Sequence, residues 1–200
     1  MRFSVARGSH GFQDKSRDYN HVPLFSKRAP DNDTLTRNIC DTCGFIDYVN
    51  PKIVAGVVAL WEGKILMCRR DIEPRKGFWT LPAGFMEQRE TTQQGAAREA
   101  REEACADVEI GPLLAIYNIE RISQVQIFYR GYLRSPNIAA GDETVEVALF
   151  DWEEIPWAEL AFPSVYWALK YFYETREMDR FPPAPQPEDW LVTPGFNYTG

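Results

Sequence analysis

Residues Ile53 to Leu60 read Ile-Val-Ala-Gly-Val-Val-Ala-Leu, with no polar side chain at any position. A strand with one wet face alternates apolar and polar residues, so an unbroken β-branched run of this kind predicts a strand buried on both faces. Trp61 to Lys64 follows as a turn and Ile65 to Arg70 as the return strand of a hairpin. Trp79 to Phe85 is a short extended piece, and Val108 to Ile119, Arg121 to Leu133 and Thr144 to Trp152 are further strand candidates. Turns are expected at Ile119 to Arg121 and through Ser135 to Glu143, which reads Ser-Pro-Asn-Ile-Ala-Ala-Gly-Asp-Glu. Between them, Thr91 to Ala104 is alanine-rich and proline-free, as a helix should be. Ser164 to Glu177 predicts an aromatic amphipathic helix capped by Ser164. Strands before and after a central helix, with a second helix at the end, predict an α/β fold with a mixed sheet between helices.

A chain of 200 residues, 44% hydrophobic, can bury one sizeable core. Its formal net charge of −7 argues against nucleic acid as a partner, and a small anionic substrate would need a cation between it and the protein. No run approaches the roughly 18 apolar residues of a membrane span, so no membrane partner is expected. Four cysteines without a disulfide-like spacing, and a start that does not read as a signal peptide, predict a reducing, cytoplasmic address. Residues 1–38 have no sustained period and read as irregular or partly disordered; 179–200 is proline-rich and reads as an extended or disordered tail.

The chemistry is concentrated between Gly84 and Ala106. At about 100° per residue, Glu99, Glu102 and Glu103 share one arc of roughly 100° on the predicted helix. Ala96, Ala97, Ala100 and Ala104 form a small-residue stripe beside that arc, through which the helix can approach a sheet closely. Like charges so placed cost a few tenths of a kcal/mol per pair in water and more when desolvated, a cost that a hard divalent cation would turn into coordination. Helical spacing alone equally suits a solvated face on which Arg98 and Arg101 offset the glutamates.

The wider spacing separates these readings. Gly84 is followed after five residues by Glu90, after seven more by Arg98-Glu99, then by Ala100, Arg101, Glu102-Glu103, Ala104, Cys105 and Ala106. This resembles the Nudix box, Gly-x5-Glu-x7-Arg-Glu-U-x-Glu-Glu-x-Gly-U with U apolar, at every specified position except Cys105, where the family has glycine. The resemblance implies a Nudix α/β/α sandwich over residues 51–178 that hydrolyses a nucleoside diphosphate linked to another moiety. It implies Glu99, Glu102 and Glu103 as ligands of Mg2+ or Mn2+, one of them doubling as base for the attacking water. Glu90 and Arg98 would pair to fix the helix against its loop and orient Glu99, and Gly84 would supply a positive φ or a close backbone approach. Cys105 falls where a left-handed residue should end the helix, and its thiol is expected to be an inert buried side chain.

The flanking sequences resemble a subgroup that carries a zinc ribbon ahead of the domain and cleaves FAD or ADP-ribose, releasing AMP. The NADH pyrophosphatases are the neighbouring alternative, but their Ser-Gln-Pro-Trp-Pro-Phe-Pro signature is absent; nucleoside triphosphate clean-up and a non-catalytic nucleotide sensor are further readings. Residues 39–50 would be the remnant of the ribbon. Cys40 and Cys43 supply one knuckle where a four-coordinate site needs two, and His10 and His21 sit at no ribbon spacing, so zinc is not expected. Arg69 and Arg70, with Arg75 and Lys76, are candidates for binding the diphosphate. Glu143 and Glu146 are candidates for a further carboxylate. Tyr117, Phe128 and Tyr129 would either stack on adenine or belong to the core. A homodimer through the aromatic last helix is open, since a buried core face explains the same residues.

Overall fold

The computed structural model of the chain describes residues 24–185 and 187, which divide into two units at Val49/Asn50. His10 and His21 lie outside the described residues, as does most of the proline-rich tail. In the first unit, β1 (Phe25–Arg28), β2 (Arg37–Cys40) and β3 (Ile46–Asp47) form an antiparallel sheet in that order. The reading of 1–38 as irregular is therefore corrected from Phe25 onward. β1 carries no apolar alternation because it buries almost nothing, whereas β2 buries Ile39 and Cys40; Arg28 pairs with Asp41 at 2.6 Å and Arg37 with Asp33 at 3.0 Å.

The second unit is built around β4 (Lys52–Trp61), which contains the apolar run. Its partners are β5 (Lys64–Arg70), β6 (Trp79–Thr80), β7 (Ala83–Phe85), β8 (Val108–Ile119), β9 (Gln124–Leu133) and β10 (Thr144–Phe150). The strand order is β10-β5-β4-β9-β8, with β6 on β5 and β7 on β4. β4 and β9 are parallel over Lys52↔Gln124 to Leu60↔Tyr132, and the other β4 edge is divided. Its far end pairs with β5 at Leu60↔Ile65, whereas its first half pairs with β7 from Val54↔Phe85 to Gly56↔Ala83. This fork brings β5 and β7 to the same strand edge.

Helices cover both faces, as the run demanded. Ala55, Val57 and Ala59 face α1 (Thr92–Ala104), in one core with Ala96, Ala100, Ala104, Leu66 and Cys68. Val58 faces α2 (Pro163–Thr175), in the other core with Met67, Trp79, Leu81, Phe128, Leu169 and Phe172. The α1 contact is close because its alanines have no exposed surface and nothing beyond Cβ to hold the backbone away. α1 opens on a reciprocal cap: the Gln94 N–H donates to Thr91 Oγ1 at 3.1 Å, and the Thr91 N–H to Gln94 Oε1 at 2.8 Å.

Ser164 does not cap α2. Pro163 occupies the first turn, where its missing N–H costs nothing, Phe162 is the N-cap residue, and Ser164 is buried inside the helix. The aromatic stripe of α2 goes inward, with Trp167 and Phe172 in the core. Tyr117, Phe128 and Tyr129 are likewise core residues, at most 8% exposed. They are not available for stacking on a base. Part of the tail is extended against the sheet: the Ala184 N–H donates to the Leu114 carbonyl at 2.8 Å, and Phe181 lies on the Arg130 guanidinium at 4.0 Å.

Candidate functional site

The loop from β7 to α1 is locked to the helix by one side chain. Arg98 donates from Nε and Nη2 to the two carboxylate oxygens of Glu90 at 3.0 and 2.8 Å, the bidentate fork that guanidinium geometry favours. Its Nη2 also donates to the Phe85 carbonyl at 2.9 Å. Its Nη1 reaches both Glu99 Oε1 and Glu102 Oε2 at 2.7 Å. Glu90 in turn accepts from the Glu87 N–H at 2.7 Å. Arg98 and this N–H hold the Glu90 carboxyl below its ordinary range, and the three glutamates hold Arg98 firmly charged.

The three helix carboxylates differ in setting. Glu99 and Glu103 are buried, whereas the Glu102 side chain is 57% exposed. Burial raises the Glu99 carboxyl despite the pull of Arg98, with the charges of Glu102 and Glu143 adding to the rise. Glu103 accepts one hydrogen bond, from the Ala83 N–H at 3.1 Å. Burial pushes its carboxyl up to about 8, helped by Glu99 and Glu143 and opposed by the Ala83 N–H and Arg70. Beneath it, Cys68 is buried in the β5 wall, and desolvation together with Glu103 pushes its thiol well up. The cluster is a set of carboxylates, two of them desolvated, whose ionised forms a cation would stabilise.

Gly84 takes the second of its two expected roles. Its φ is not positive; instead, a Cβ there would run into the Glu99 carboxylate, so glycine is what lets β7 pass the cluster. At the other end of α1, Cys105 adopts φ 49° and ψ 26°, in the left-handed region. Its N–H bonds the Arg101 carbonyl at 3.0 Å, and the Ala106 N–H bonds the Ala100 carbonyl at 3.1 Å. The thiol is exposed rather than buried, because a left-handed terminus turns the side chain away from the stripe that Ala104 and Ala106 continue. The loop 135–143 closes on this end through the Gly141 N–H, which donates to the Glu103 carbonyl at 3.1 Å.

The remaining candidates separate. Glu143 acts electrostatically on both Glu99 and Glu103, whereas Glu146 is paired to Arg69 at 3.3 Å. A register shift between Thr144 and Glu146 intervenes on β10. Arg69 is further engaged with the Gly77 carbonyl at 2.8 Å and lies on Trp79. Arg70 is the arginine that senses Glu103, and its Nε bonds the Pro74 carbonyl at 2.9 Å. Lys76 pairs with Asp71 at 2.7 Å, and Arg75 donates to the Ala161 carbonyl at 3.1 Å. In the first unit, the N–H groups of Cys43 and Thr42 hold the Cys40 thiol below its ordinary value. Among the described residues no three His, Cys, Asp or Glu side chains converge as a ready ligand set. At the helix, Glu99 and Glu102 are both bonded to Arg98, whereas Glu103 is bonded to the Ala83 N–H.

Backbone groups complete the site, and no residue type announced them: the Ala83 N–H, the Phe85 carbonyl and the Gly141 N–H. Gly141 alone leaves a mark in the sequence, since a Cβ there would collide with the Glu102 carbonyl.

The NUDIX domain family matches residues 50–174. An ADP-ribose pyrophosphatase of Methanocaldococcus jannaschii is 29% identical over 119 residues, 58% of this chain and 69% of that protein. A solved Nudix hydrolase from Nitrosomonas europaea is 46% identical with a TM-score of 0.76, covering 81% of this chain and 91% of that one. An ADP-ribose pyrophosphatase from Streptococcus suis shares the fold at 22% identity and a TM-score of 0.57, over 67% of this chain and 98% of that one.

Proposed function

Since this chain belongs to the Nudix family and is a pyrophosphohydrolase, we propose that it hydrolyses the diphosphate bridge of ADP-ribose or a related derivative such as FAD, releasing AMP. The observation that carries the reading is the carboxylate cluster of Glu99, Glu102 and Glu103, held against β7 by the Glu90–Arg98 fork. ADP-ribose is favoured by the 29% identity to the Methanocaldococcus jannaschii ADP-ribose pyrophosphatase.

The donor set suits a hard divalent cation, Mg2+ or Mn2+: three carboxylates, two of them buried without enough positive charge to balance them. Glu99, Glu102 and Glu103 would hold the ion, with Glu143 as an added carboxylate from the facing loop. Bound there, it would neutralise charge on the two phosphoryl groups and acidify a water. The chain's own residues do the rest. Arg98 fixes the rotamers of Glu99 and Glu102 while anchored on Glu90 and the Phe85 carbonyl. Gly84 leaves room for Glu99, and the Ala83 N–H fixes Glu103. Arg70 brings a further positive charge that acts on Glu103, suited to a phosphate oxygen. A buried glutamate whose carboxyl is already raised is suited to accept a proton from the attacking water.

Purified protein incubated with Mg2+ or Mn2+ and ADP-ribose, FAD, NADH or deoxynucleoside triphosphates should release AMP fastest from ADP-ribose or FAD. Preference for a triphosphate would move the reading to nucleotide clean-up.

A further inference from the structure

The β7–β4–β9 junction presents two faces, and the cluster accounts for one of them. Gly84 turns toward Glu99 on the α1 side, so Ala83 and Phe85 turn to the α2 side. By the same alternation Lys52 and Val54 join Val58 there, and Gln124 and Gln126 join Phe128. Strand register lines these residues up: Phe85 is opposite Val54 and Val54 opposite Gln126, with Lys52 opposite Gln124 in the next row. Phe85 is 48% exposed, and the neighbouring side chains are half-buried or exposed. The row thus stands open.

We propose that this row is the base-recognition site of the substrate, taking a purine, adenine in particular. The proposal rests on the reading of the chain as a nucleoside diphosphate hydrolase. Strands lie about 4.8 Å apart, so Phe85 and Gln126 stand about 10 Å from each other across Val54, a flat apolar floor between an aromatic ring and an amide. Lys52 Nζ lies 4.8 Å from the centre of the Phe85 ring, so that ring already presents a face to a cationic or π partner. The Gln126 Nε2 donates to Gln124 Oε1 at 3.1 Å, which fixes both amides and leaves an acceptor on Gln126 beside a donor on Gln124. A donor and an acceptor side by side, here shared between the two paired amides, complement the adenine N6 and N7 edge. The site adjoins the chemistry along β7 but from the opposite face of the sheet: the Phe85 carbonyl binds Arg98 and Gly84 touches Glu99, so a substrate reaching both would pass over the outer edge of β7. One residue of β7 therefore separates the base platform from the diphosphate cluster.

The test is titration calorimetry of AMP and of UMP into the full chain and into Gln126→Leu and Phe85→Ala, with melting curves confirming that each variant folds. AMP should bind the wild type at least tenfold more tightly than UMP, and each variant should weaken AMP at least tenfold while leaving UMP within threefold. In hydrolysis assays KM for ADP-ribose should rise to match. Equal binding of AMP and UMP, or unchanged AMP binding in both folded variants, overturns the proposal. Because these titrations involve no turnover, they decide the base site separately from the activity. Failure of the wild type to cleave any nucleoside diphosphate derivative would instead refute the function on which the site rests.

Discussion

Replacing Glu103 by glutamine should make the metal-free protein more stable and the enzyme worse. The carboxyl is buried, accepts one backbone hydrogen bond, and is pushed from an ordinary 4.5 up to about 8 by burial with Glu99 and Glu143 adding. Below about pH 4.5 it is protonated in the folded and the unfolded chain alike and does not affect stability by this route. As pH rises toward 8, the unfolded chain gives up its proton while the folded chain keeps it, so folding stability falls; above 8 the loss is complete. At about 1.36 kcal/mol per unit, the complete difference is on the order of 5 kcal/mol, of which about 4 is reached at pH 8. Glutamine keeps an acceptor for the Ala83 N–H but adds an amide N–H2 to satisfy, at a cost of about 1 kcal/mol. With about 2–4 °C per kcal/mol for a chain of this size, the variant should melt about 6–12 °C higher than wild type in EDTA at pH 8. At pH 4.5, where only the cost of the extra amide remains, the variant should melt about 2–4 °C lower than wild type. With saturating Mg2+ the advantage should shrink, and turnover should fall by at least the roughly 10–100-fold typical of a disturbed metal site. Differential scanning fluorimetry across pH, with and without EDTA, reads all of this. A Glu103→Gln variant that melts at or below wild type at pH 8 without metal would refute the reasoning, because Glu103 would then not be a strained buried charge.

Gly84→Ala should fold but lose at least about 10²-fold in turnover, because the added methyl displaces the Glu99 carboxylate from its place against β7; steady-state kinetics beside a melting curve checks it. Arg98→Lys should lower turnover comparably while KM changes little, since an ammonium cannot hold Glu90 by a fork and span Glu99 and Glu102 at once. Cys105→Gly should raise stability by about 1 kcal/mol in urea denaturation by relieving the left-handed φ, with turnover within a factor of two. A hundredfold rise in turnover would place Cys105 in the chemistry.

Much of this was readable because it depends on residue type at fixed spacing. A run with no polar position must lie between two layers, and alanines at helical intervals mark a close contact. The Glu90–Arg98 pair needs only its separation across the helix cap and about two helical turns. What escaped depends on geometry that spacing does not carry. Strands β1 and β2 are four residues each and β1 is almost wholly exposed, so they show no apolar period. Ser164 looked like a cap until Pro163 took the first turn. Glu143 and Glu146 are equivalent in sequence, but Glu143 lies in the turn before β10 and acts on Glu99 and Glu103, whereas Glu146 lies on β10 and pairs with Arg69. The exposure of Cys105 follows from its left-handed backbone, which the chain adopts there even without glycine.

The central claim is that the α1 carboxylates cleave a nucleoside diphosphate bridge, and its most direct measurement is chromatographic analysis of products from ADP-ribose with Mg2+, wild type beside Glu102→Gln. Glu102 is exposed on the helix, so its amide variant should fold normally. The account predicts equimolar AMP and ribose 5-phosphate from the wild type and release at least 100-fold slower from the variant. Undiminished release by Glu102→Gln, or no AMP from the wild type with ADP-ribose or FAD, would contradict it.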